Sequence, residues 1–202
     1  MLKLIDVIAD GDARPVSLAD LKKHVNAADF VDDDEQLKIY LDAAIDFVAG
    51  RTSLTLRRST FRIDRCDWWS GCLNVLLTPV RDVTITFLDE AGAPQIIDPA
   101  LYRWDRTKLG TAEIRFLDAF TSPAVKADTF NAVQIEIEAG FDVPDVTGAG
   151  DDPELVFPPR ARQAVLMVAA SWYRNREAAA ENELKVVPLA ADALIWQMRV
   201  YR

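Results

Sequence analysis

Between residues 54 and 140 the chain alternates apolar and polar positions in short runs: STFRIDRC, CLNVLL, DVTITFLD, YRWD, AEIRFL and AVQIEIEAG. A period of two sends successive side chains to opposite faces of a strand, and the β-branched and aromatic content suits a half-buried pleated surface. DWWSG, TPVRD, DEAGAPQ and DRTKLG separate the runs with turn-forming residues. The pattern predicts an antiparallel sheet region over about 54–140, with Trp68 and Trp69 at the tip of a hairpin.

On either side the period lengthens to that of a helix. Ser17 and Asp20 open SLADLKKHV with a capping-box-like start. Asp32, Asp33, Asp34 and Glu35 then stand where a helix start favours negative charge, and Leu37, Leu41, Ala44, Ile45 and Val48 follow at helical spacing up to Gly50, a plausible stop. Later in the chain, Pro158 and Pro159 suit a first helical turn, where a missing N–H costs nothing. Ala161, Ala164, Val165, Val168, Ala169 and Trp172 share one face, which predicts a core helix packed on the Leu37–Val48 segment. Helices are therefore expected over about 17–50 and 158–180, around the sheet insertion. The fold class is α+β, in a single domain spanning 1–202: a helical bundle with an inserted antiparallel sheet and an apolar C-terminal helix.

That last helix is unusual. Leu194, Ile195 and Trp196 are consecutive, and Met198, Val200 and Tyr201 widen the band, so one core-facing stripe does not accommodate them all. The segment at about 184–202 is expected to bury part of its surface against another chain. Arg174 and Arg176 interrupt the preceding helix's apolar face, where it meets water or a neighbour.

Composition narrows the function by exclusion. The formal charge of −9 in 202 residues argues against a surface that grips nucleic acid. The uncharged apolar block Ala164–Tyr173 is about half the roughly 20 residues a bilayer span needs, and Lys3, Asp6 and Asp10 break the N-terminal apolar stretch, so neither a membrane anchor nor a signal peptide is expected. His24, the one histidine, stands beside Lys22 and Lys23 with no orienting acid suggested, and no serine has a nucleophile-elbow context. The acidic run lacks the glycine and alternating ligands of a calcium loop. Cys66 and Cys72 flank DWWSG without two further zinc ligands nearby, and free thiols are expected. No catalytic residue, metal site or cofactor is expected; the residues themselves favour an interaction protein.

Several segments, in order, carry a resemblance: VSLADLKKHV; DDDEQLKIYLDAAIDFVAGRTSLTLRRSTFRID; TPVRDVTITFLDEAG with DPALYRWD; AVQIEIEAGF; PPRARQAVLMVAASWYRNREA; and PLAADALI. Their order and spacing resemble the head–tail connector (adaptor) proteins of long-tailed phages, prophages and gene transfer agents over almost the whole chain. Met1–Arg14 and the acidic loop Asp142–Glu154 are longer than that pattern needs.

The resemblance implies a structural, non-enzymatic protein of a particle neck, assembled in the bacterial cytoplasm. Its expected partners are the portal protein, copies of itself in a dodecameric ring, a stopper as the next neck protein, and DNA that passes without specific binding; no membrane partner is expected. On this reading Leu194, Trp196, Met198, Arg199, Tyr201 and Arg202 would bind the portal. Trp68, Trp69, Arg174 and Arg176 would meet ring-mates or the next neck protein. Two alternatives stay open at this point: another neck or tail component, such as a stopper or tail-completion protein, and a metal-dependent hydrolase.

Overall fold

The computed structural model describes residues 2–7, 14–27, 31–107, 111–142, 152–175 and 188–200. The chain forms two compact units, a sheet unit from Met1–Ala9 with Arg57–Gly140 and a helical unit from Asp10–Leu56 with Phe141–Arg202.

In the sheet unit, strands β1 (Leu2–Val7), β2 (Ser59–Arg65), β4 (Val80–Leu88), β5 (Pro94–Ile96) and β8 (Val133–Ala139) form a five-stranded antiparallel sheet ordered β1-β2-β8-β4-β5. Strands β3 (Cys72–Val75), β6 (Tyr102–Arg106) and β7 (Ala112–Phe116) form a second, ordered β3-β7-β6. The last strand in sequence, β8, is central. Its alternation sends Val133, Ile135, Ile137 and Ala139 into the core and leaves Gln134, Glu136 and Glu138 half-buried on the other face. Ile135 sits in register between Ile63 and Ile85. Tyr102 closes the edge of β4 by donating from its hydroxyl to the Val83 carbonyl at 2.8 Å. Burial, with Asp82 and Asp98 nearby, raises the Tyr102 phenol above its ordinary pKa.

The expected hairpin around DWWSG does not form. β2 pairs with β1 and β8, whereas β3 pairs with β7 in the other sheet. The chain between them therefore crosses from one sheet to the other, and Cys66 and Cys72 are exposed, free thiols. The pairing of β1 with β2 does not follow from the local pattern; Lys3 of β1 reinforces it by an ion pair to Asp64 of β2 at 2.6 Å.

The helical unit contains α1 (Leu18–His24), α2 (Asp34–Thr52), α3 (Pro159–Arg174) and α4 (Leu189–Met198). Ser17 caps α1 by accepting from the Asp20 N–H at 3.1 Å. Burial raises the pKa of the Asp20 carboxyl, but hydrogen bonds from Ser17 and Arg162 outweigh it and hold the group below its usual range. Helix α2 runs two residues past Gly50 and ends at Ser53, whose left-handed φ of 62° terminates it. The face anticipated for α3 is buried against α2, with Trp172 packed edge-on to Phe47 at 5.6 Å. Leu166 and Ala170 are buried too, because α4 and α1 also pack on α3. The Tyr173 hydroxyl donates to Asp33 at 2.7 Å, joining the end of α3 to the acidic start of α2.

Candidate functional site

Helix α4 sorts its apolar residues by the helical period. Ala191 and Ile195, four apart, are fully buried in the helical core; Leu194 and Met198 flank them, half-buried against the same core. Trp196, about 100° around the helix from Ile195, projects outward and stays 64% exposed. The Arg199 guanidinium lies over its ring, 5.9 Å from the centroid, a cation–π geometry. The Val200 N–H donates to the Thr52 carbonyl at 2.9 Å and fastens the segment to the end of α2. Of the portal-facing residues expected from the sequence, Leu194 and Met198 are thus at least partly core residues of their own unit. Trp196 and Arg199 are exposed and adjacent. Arg174 is exposed at the end of α3; Arg176, Tyr201 and Arg202, with loop residues 143–151, lie outside the described residues.

The sheet unit corrects the outward-facing expectation for Trp68 and Trp69. Both are half-buried against its core. The Trp68 ring contacts Phe87, Phe116 and Phe120 with centroids 5.4, 5.6 and 5.2 Å away, and its Nε1–H donates to the Pro123 carbonyl at 2.8 Å. Trp69 packs on Phe116 at 4.5 Å. The turn residues at 66–71 fold the pair back over the aromatic edge of the second sheet instead of lifting it into solvent. Replacing both with Ser is expected to lower stability by about 3–5 kcal/mol, since truncating a packed Trp removes area and leaves a cavity. A thermal melt checks this; an unchanged melt would return the pair to the surface.

Sequence reasoning missed two prominent apolar groups: Phe130, 92% exposed, and Ile96, 72% exposed on the edge strand β5. The only signal for Phe130 was an aromatic ring within the polar turn DTFN. His24 lines a shallow hollow with Met167, Ser171, Arg174 and Pro188. Among the described residues no group of three or more His, Cys, Asp or Glu side chains is placed to hold a metal ion, and no helix is long and apolar enough to cross a membrane. The features that stand out are surfaces for contact: the Trp196–Arg199 edge of α4 in one unit, and the open faces and edges of the sheets in the other.

No protein-family model and no curated protein matches the chain. Solved structures do. A chain in the virion of a native gene transfer agent (GTA) particle is 27% identical with a TM-score of 0.72. Chains in the neck of an empty GTA particle computed with C6 symmetry and in the neck of a native GTA particle computed with C12 symmetry are each 26% identical, with TM-scores of 0.71 and 0.68. In all three the similarity covers 100% of this chain and 96% of the other.

Proposed function

We propose that this chain is a structural component of the neck of a gene transfer agent or related phage-like particle. Within that neck it would serve as the head–tail connector: a ring of copies below the portal that extends the DNA channel and presents a docking surface to the next neck protein. The observation that carries the neck reading is the end-to-end similarity to chains of GTA neck structures, which spans both compact units. The sixfold and twelvefold symmetry of those necks supports copies set around an axis. The connector position itself is supported by the ordered segments that resemble connector proteins. A stopper or tail-completion role is the second reading, and the two differ in where the chain sits relative to the portal.

A non-catalytic role fits the virion setting of these similar chains. The charge of −9 has a use in the same reading, because an acidic wall lets DNA slide without holding it. Portal contact is assigned to Trp196 and Arg199, with Tyr201 and Arg202 following in sequence. An exposed Trp beside an Arg supplies the two residue types that most often anchor a protein interface, and a ring repeats the contact so that weak individual bonds add up.

The test is Trp196→Ser in the particle-producing strain. The side chain is largely outside the core, so the isolated subunit is expected to melt within about 1 kcal/mol of wild type. Filled heads lacking tails are the expected product. A normal yield of tailed particles would remove Trp196 from the interface.

A further inference from the structure

On the outward face of the β3-β7-β6 sheet, charge is arranged in rows. Arg103 stands directly opposite Arg115, and one step along the strands Asp105 stands directly opposite Glu113. All four are exposed, and none makes an ion pair or side-chain hydrogen bond among the described residues. Like charges directly opposite each other on neighbouring strands repel, so the register costs the isolated subunit stability on both rows. Exchanging one residue of each row would give two opposite-charge pairs, yet the sequence has the reverse. Beside the rows lies an open hollow of about 660 Å³, which the four residues line with the half-buried Trp104 and the exposed Ile96.

We propose that this face binds a second copy of itself. A two-fold axis lying between two such faces, parallel to the rows, sets the arginine row of one copy over the acidic row of the other. Arg103 then meets Asp105 of the second copy and Arg115 meets its Glu113, and the two-fold repeats both contacts, for four ion pairs. One patch supplies both halves of the match, so no second complementary surface is required. Ile96 supplies apolar area at the margin. Each chain carries −9, so the two bodies also repel at long range. That repulsion is screened beyond about 8 Å at physiological salt, whereas the pairs act at contact. The result is a weak dimer of the unassembled subunit, made through a face separate from α4. This goes beyond the neck assignment and does not depend on it.

Sedimentation of the purified full chain at high-micromolar concentration tests the proposal. Wild type is expected to show a monomer–dimer equilibrium at about 0.15 M salt that shifts toward monomer at about 1 M, where screening reaches into the contact. The neutral variants Arg103→Gln/Arg115→Gln and Asp105→Asn/Glu113→Gln should each associate at least about tenfold more weakly, as four modest pairs are lost. Each should melt no lower than wild type, because a like-charge row has been removed; a purely structural role for these residues would lower the melt instead. The charge-reversed variants Arg103→Glu/Arg115→Glu and Asp105→Arg/Glu113→Arg should be monomeric alone and form a heterodimer when mixed. A wild-type chain that stays monomeric at high-micromolar concentration would overturn the proposal, as would neutral variants that dimerise like wild type. If both reversed variants fold and their mixture stays monomeric, the two-fold pairing is wrong.

Discussion

Truncation after Asn182 is expected to unfold the helical unit. The cut removes α4, and with it the buried Ala191 and Ile195, the half-buried Leu194 and Met198, and the Val200–Thr52 hydrogen bond. Truncating one buried Ile or Leu to Ala alone costs about 2–5 kcal/mol. Losing the whole helix and baring the α3 surface beneath it should cost more than about 5 kcal/mol, comparable to the total stability of many domains. Far-UV circular dichroism should show reduced helix, and amides of α2 and α3 should exchange rapidly with solvent. A truncated chain with an unchanged melt would make the segment detachable, as its wide apolar band first suggests. Missing tails after such a truncation would therefore say little about portal contact, and Trp196→Ser is the cleaner variant.

Gly140→Ala should be among the most destabilising single substitutions in the sheet unit. Gly140 follows β8 with φ of +118°, in a region L side chains rarely adopt, and a Cβ there would run into the backbone of Arg57 and Arg58, 2.7 Å from the Arg58 Cα. The obstruction is main chain held at the start of β2, where Ser59 pairs with Ala139, so it has little room to retreat. Backbone strain of about 1–3 kcal/mol and a similar overpacking term add to about 2–5 kcal/mol. Gly50→Ala is the control. Gly50 lies in the last turns of α2 with nothing within 4 Å of an added Cβ, so a gain of up to about 1 kcal/mol is expected. Paired thermal melts decide the matter, and a Gly140→Ala chain melting like wild type would contradict the close approach.

Local patterns in the chain disclosed local structure. Alternation in AVQIEIEAG marks β8, and the spacing of Ala161, Val165 and Val168 marks the face of α3, because each follows from the period of one element. Pairing between distant strands was not legible. β1 joins β2 across more than fifty residues, and β8 enters between β2 and β4. Apolar runs on either side of DWWSG looked like a hairpin, although their partners lie elsewhere. Leu194, Ile195 and Trp196 looked too broad a band for one core; the helix divides them among flank, core and solvent. The opposed charges at Arg103, Arg115, Asp105 and Glu113 acquire meaning only from the β6–β7 register, which a strand's own residues do not state. As for the candidate interface, its chemistry was visible in Trp196 and Arg199, while the division between portal-facing and core residues required the packing of α4 on α3.

The most direct measurement is a cryo-EM map of the neck of intact particles from the producing strain, with this chain identified by a small tag. Density for both units of the fold, repeated around the axis in a ring immediately below the portal and with Trp196 against a portal subunit, is the predicted result. A ring of this chain found farther down the neck would replace the connector role with that of another neck component. Purified tailed particles that lack the chain altogether would contradict the neck assignment itself.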